Sequence, residues 1–151
     1  MAEERTLLIV KPDAMQRGLA GEILSRFERR GFYLVGAKLM QISRELAEGK
    51  PFYEGLVGFM TSGPVLVLAV EGPRVIETAR KMMGKTFAYA AEPGTIRGDF
   101  GASKGLNLIH GSDSPAAAQR ELELFFGKGE LVDWTPDNRK WGFNSEDLGA
   151  V

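Results

Sequence analysis

Five side chains in this sequence have the chemistry to bind and move a phosphate, and they lie far apart: Lys11, Arg80, Lys85, Arg97 and His110. His110 is the single histidine of 151 residues. It stands in Asn107-Leu108-Ile109-His110-Gly111-Ser112-Asp113-Ser114, directly before a helix start. Imidazole titrates near pH 6.5 (roughly), so it can attack phosphorus or shuttle a proton without strong activation. A carboxylate bonded to one ring nitrogen would fix the tautomer and leave the other nitrogen as the nucleophile. Asp113, Ser112 and Glu121 are the nearest polar groups in the chain, and Glu121 is the preferred orienter. Arginine grips phosphate oxygens with a planar fork and lysine with a compact charge, and phosphoryl transfer depends mainly on such positioning and neutralisation. Thr86 and Asn107 can add neutral hydrogen bonds. Each cation taken singly is equally a solvated surface group. Their convergence in one cleft is something the fold has to supply.

Two other motifs carry less. Met83-Gly84-Lys85-Thr86 spells the end of a phosphate-binding P-loop, but Ala79 stands where the loop needs its first glycine and the preceding segment reads as helix. Arg97-Gly98-Asp99 spells an adhesion tripeptide, yet a chain without cysteine gives no reason to expect extracellular display.

The elements that must position these groups alternate. Thr6–Val10 is a short apolar strand ended by Lys11-Pro12-Asp13, so Lys11 lies at a strand end. Leu19, Ile23, Leu24 and Phe27 recur at helical spacing, with Gly31 at the expected C-cap. Phe32–Ile42 returns to strand character, apolar on both faces, which predicts a covered strand. Ser43–Leu46 suggests a helical turn and Pro51–Phe59 a second short helix, together a mobile hairpin closed by Ser62-Gly63-Pro64. Val65–Val70 is the most strand-like run, and a helix carrying Val75, Ile76, Ala79, Met82 and Met83 follows it to Gly84. Lys85–Ser103 reads as a long functional loop, and Leu106–Ile109 as a short strand. Ser114 then caps a helix with Pro115 at its first position, running through Ala118, Leu122 and Phe125. The predicted class is α+β, a sandwich with helices on one face of the sheet.

Bulk properties narrow the functions. Nineteen basic and twenty acidic side chains leave a net charge of −1, so no global field draws nucleic acid or a membrane surface, and an anionic ligand must meet a local positive site. The absence of cysteine excludes disulfides, thiolate zinc sites and thiol nucleophiles and fits a cytoplasmic protein. Apolar runs such as Pro64–Val70 fall far short of the roughly 20 residues a membrane helix needs. The length fits one domain over residues 1–151, and the segment 128–151, with Trp134, Pro136 and Trp141, is expected as a tail on the domain or on a neighbouring subunit.

At Asn107-Leu108-Ile109-His110-Gly111-Ser112-Asp113 the chain resembles the active-site signature of the nucleoside diphosphate kinase family. The similarity runs on through Val10-Lys11-Pro12-Asp13, Gln16-Arg17-Gly18-Leu19, Ser62-Gly63-Pro64 and Pro93-Gly94-Thr95-Ile96-Arg97-Gly98-Asp99-Phe100. The resemblance implies a ferredoxin-like sandwich with a four-stranded antiparallel sheet, assembled as a homo-oligomer, a hexamer or a tetramer. It implies ping-pong transfer of the γ-phosphate from a nucleoside triphosphate, typically ATP, to a nucleoside diphosphate through phospho-His110. It further implies that Lys11, Arg80, Thr86, Arg97 and Asn107 hold phosphates and sugar. Phe52, with Leu56 beside it, would stack on the base, Glu121 and Ser112 would orient the histidine, and Mg2+ would bridge the phosphates. The chain departs from the family before Lys50-Pro51-Phe52, where several residues are missing, among them a tyrosine near the transferred phosphate. The alternative function is therefore nucleotide binding or scaffolding with turnover weakened by a shortened hairpin. Phe87-Ala88, where asparagine-proline is common, and Ala14, in place of a frequent glycine, are further departures.

Overall fold

The computed structural model describes residues 3–47 and 59–149. Its centre is a four-stranded sheet in the order β2-β3-β1-β4, formed by β1 (Glu4–Val10), β2 (Tyr33–Met40), β3 (Val65–Gly72) and β4 (Ile109–Gly111), with every neighbouring pair antiparallel. The unbroken apolar run of β1 follows from its central place. Leu8 and Val10 point into one core with Ile23, Phe27, Val70 and Met83. Leu7 and Ile9 point into a second core with Val67, Leu122 and Phe125. A strand buried on both faces shows no alternation. Helices α2 (Ala20–Arg29) and α4 (Val75–Met83) supply the first core and α6 (Pro115–Phe125) the second. The expectation of helices on one face is therefore corrected: both faces are covered, because β1 and β3 carry apolar side chains in both directions. Short helices α1 (Pro12–Gln16), α3 (Arg44–Ala47) and α5 (Ile96–Phe100) connect these elements.

Three further expectations shift. The segment 85–103 is not a plain loop, since it holds a 3-10 turn at Ala88–Ala90 and the helix α5. That helix is too short for a periodic signature, and its start is set locally by the Thr95 side chain, which accepts the Gly98 N–H at 3.0 Å. A β-carbon on Gly98 would lie 1.8 Å from the Glu92 carbonyl oxygen, so the tight entry tolerates only glycine. The last strand begins at Ile109 rather than Leu106. Leu108 has a φ of 73°, and a residue in the left-handed region cannot continue a strand. Finally, β2 is an edge strand and is not fully covered: its second half alternates between half-buried and exposed positions, with Leu39 68% exposed. Part of its free edge is taken by residues beyond α6. The Val132 N–H donates to the Val35 carbonyl at 2.7 Å and the Trp134 indole to that of Leu34 at 2.8 Å. The ring of Phe143 lies against Phe32, and Arg139 pairs with Glu3 near the start of the chain.

Candidate functional site

The site lies where β1 ends beside the start of β4. His110 pairs with Ile9 across the ladder, so its ring projects onto the face covered by α6. One helical turn and a half into α6, Glu121 meets it: Nε2 of His110 and Oε1 of Glu121 are 2.7 Å apart. Buried Ser112 donates its hydroxyl to the same oxygen at 3.0 Å. A carboxylate that accepts from Nε2 selects the tautomer protonated there, so the lone pair resides on Nδ1. Exposed Asp113 does not orient the ring. Ser114 caps α6 by accepting the Ala117 N–H at 3.1 Å, with Pro115 at the first helical position, and so fixes where Glu121 falls.

The cations come from three other elements. Lys11, 6% exposed at the end of β1, donates to Oδ1 of Asn107 at 2.7 Å, and Asn107 in turn donates Nδ2 to the Thr86 carbonyl at 2.8 Å. Arg97, 4% exposed on α5, spends three N–H groups on main-chain carbonyls: Nε on Asn107 at 3.0 Å, Nη1 on Gly84 at 2.9 Å and Nη2 on Ile109 at 2.6 Å. It thereby ties together the end of α4, the turn before β4 and β4 itself, and keeps its remaining donors for a ligand. Arg80 on α4 donates to the Gly111 carbonyl at 3.2 Å. Burial, then the neighbouring Arg97 charge, lowers the Lys11 ammonium to about 8, with Asp13 acting in the opposite direction. Burial and Arg80 lower Arg97 to about 10.

The helix α4 ends at Gly84, whose φ of 88° and close approach to Thr95 suit glycine alone and turn the chain toward Thr86. Lys85 is exposed and makes no hydrogen bond to this cluster among the described residues. Phe52 and Leu56 lie outside the described residues, as does the hairpin between α3 and Phe59. Sequence reasoning passed over one participant, Asp13, whose Oδ2 accepts the Leu108 N–H at 3.1 Å. The position of Asp13 just inside a helix opened by Pro12 is the signal that could have found it. A cavity of about 590 Å³ lies elsewhere, between the chain beyond α6 and β2, and none of the cationic cluster lines it. The site is instead a polar cluster at the sheet's end, with a nucleophile on one side and buried positive charge on the other.

Comparison with known proteins gives the same answer. The family model described as nucleoside diphosphate kinase matches residues 4–131. The chain is 59% identical to a nucleoside diphosphate kinase of Carboxydothermus hydrogenoformans over 91% of this chain and 97% of that one. Identity to the corresponding protein of Thermomicrobium roseum is 58% over the same shares. Among solved structures, a halophilic nucleoside diphosphate kinase from Halobacterium salinarum in complex with CDP superposes with a TM-score of 0.89 at 49% identity, covering 94% of this chain and 99% of that one. The Borrelia burgdorferi enzyme, a transition-state mimic with bound vanadate and ADP, superposes with a TM-score of 0.87 at 34% identity, covering 93% and 97%. A ring nitrogen held by a carboxylate beside buried cations suits phosphoryl transfer through a histidine, and with these matches the chain belongs to the nucleoside diphosphate kinase family of phosphotransferases.

Proposed function

We propose that His110 is the phosphate carrier of a two-step transfer between nucleotides, with residues 1–151 acting as one catalytic domain. The observation that carries this reading is the pairing of Nε2 with Glu121 beside cations that neutral oxygens hold. In the first step the Nδ1 lone pair attacks the γ-phosphorus of a nucleoside triphosphate. The Nδ1–P bond forms, the bond from phosphorus to the bridging oxygen breaks, and the diphosphate leaves with that electron pair. The ring becomes cationic, and Glu121, itself fixed by Ser112, stabilises it through Nε2–H. In the second step a β-phosphate oxygen of another diphosphate attacks the same phosphorus and the Nδ1–P bond breaks, returning the neutral ring.

Lys11 and Arg97 neutralise charge on the transferring group, and Arg80, Thr86 and Asn107 hold the remaining phosphates and the sugar. Phe52 stacks on the base with Leu56 beside it; stacking accepts every base, because each has a π-face. Magnesium fits this donor set as the complex of the nucleotide's own phosphates. It seeks oxygen ligands and retains waters, so it would enter with the nucleotide and would neutralise phosphate charge there. A homo-oligomer, hexamer or tetramer, and a cytoplasmic location complete the proposal. Among the described residues no helix is long and apolar enough to cross a membrane.

Incubation with ATP labelled at the γ-phosphate, followed by separation from nucleotide, tests the reading. Acid-labile label on the native chain and none on His110→Ala is the expected result. A native chain that stays unlabelled while turning over nucleotides would sink the carrier role.

A further inference from the structure

Lys11 and Asp13 grip the turn before β4 from two sides. The Lys11 main-chain N–H donates to the Leu108 carbonyl at 2.8 Å and its ammonium to Asn107 Oδ1 at 2.7 Å. From the first turn of α1, Asp13 takes the Leu108 N–H at 3.1 Å. The gripped residue has a left-handed backbone, with φ of 73°, although it is a leucine with a fully buried side chain. A non-glycine residue stays in that region only when its surroundings over-determine it. The bond from Asp13 spans 95 positions of sequence and lands on the main chain between Asn107 and His110. The other oxygen, Oδ1, is buried and has no hydrogen-bond partner among the described residues. A carboxylate held in that way is costly, and its one bond is to the turn that presents the site.

We infer that Asp13 is a positioning residue of the transfer reaction: its carboxylate holds Leu108 left-handed, so that Asn107 faces Lys11 and β4 starts in the register that carries His110. The carboxylate has a second effect, on Lys11. The groups that act on that ammonium are Arg97 from α5, which disfavours its proton, and Asp13 from α1, which favours it, while Arg80 from α4 faces Arg97. Asp13 is the acidic group that offsets burial there. Its removal therefore lowers the pH at which Lys11 loses its charge.

The inference rests on the roles given above to His110 and Lys11, and two variants of the full chain test it. Asp13→Asn keeps an oxygen for the Leu108 N–H and removes the charge; Asp13→Ala removes both. For Asp13→Asn the alkaline limb of the kcat/KM profile moves to lower pH. The ratio of kcat/KM at pH 8.5 to that at pH 6.5 falls about sixfold below the native ratio, which corresponds to a downward move of about one pH unit from about 8. For Asp13→Ala an added loss of about tenfold in the single-turnover rate of His110 phosphorylation appears at pH 6.5, and Asp13→Asn recovers most of it. A pH profile of Asp13→Asn superimposable on the native one overturns the charge effect. A native phosphorylation rate in Asp13→Ala overturns the positioning role. Should Asp13→Ala lose its cooperative melting transition, the profile of Asp13→Asn decides alone. Failure of the carrier assignment is seen separately, as native protein that takes no label.

Discussion

Two groups of cations in this molecule stand in contrast. Away from the site several meet carboxylates: Arg5 with Glu71, Arg26 with Asp99, Lys38 with Glu130, Arg74 with Asp147 and Arg139 with Glu3. At the site, Lys11, Arg80 and Arg97 bond carbonyl and amide oxygens, and among the described residues none forms a salt bridge. Neutral dipoles fix geometry without pairing these charges with a carboxylate, and the acidic influence on the cluster is that of Asp13 on Lys11. Burial first, and then a neighbouring cation in each case, Arg97 for Lys11 and Arg80 for Arg97, depresses both groups. One group is matched by opposite charge; the other is held by neutral oxygens and, among the described residues, has no salt-bridge partner.

The largest break in this contrast is the loss of the group the cations serve. His110→Ala should abolish phosphoprotein and lower kcat/KM by at least about a thousandfold, with a circular dichroism melt close to the native one. Asn107→Asp imports the surface arrangement into the site by placing a carboxylate against the Lys11 ammonium. We expect kcat/KM to fall by roughly a hundredfold as the local positive charge is cancelled. Because an adjacent negative charge favours the ammonium, Lys11 should then titrate above about 8. An alkaline limb that moves down in pH would contradict the contrast. Glu121→Gln keeps an oxygen near Nε2 and removes the charge that stabilises the imidazolium, and a loss of about tenfold in the phosphorylation rate is expected in rapid-quench measurements. At the small end, Arg74→Ala removes an exposed ion pair with Asp147. Such pairs contribute little, and neither melting temperature nor turnover should change beyond error.

Local signals carried much of the fold. The helices at 20–29, 75–83 and 115–125 were legible because apolar spacing, a capping serine or a terminal glycine are all written within a few residues of each helix. The helix α5 escaped because one short turn of helix has no period to read, and β4 was displaced because a left-handed leucine leaves no trace in composition. The edge position of β2 was hidden for a related reason. Both of its faces are apolar in sequence, while its place in the sheet depends on pairing with residues some thirty positions away. Asp13 carried only the weak signal of its place just inside a helix opened by Pro12, and an acidic residue in the first turn of a helix is ordinary.

The sequence by itself singled out His110 as the candidate nucleophile, through its flanking motif and the family resemblance that motif carries, and it placed Lys11 at the end of a strand through the proline that follows. The tertiary structure alone decided which groups work together. It chose Glu121 over Asp113 as the partner of His110, brought Lys11 to Asn107 across 96 positions, and left Lys85 outside. The reason is physical. Capping and periodicity act over a few residues, whereas a hydrogen bond between distant segments exists only after strand pairing and packing have fixed where each segment lies.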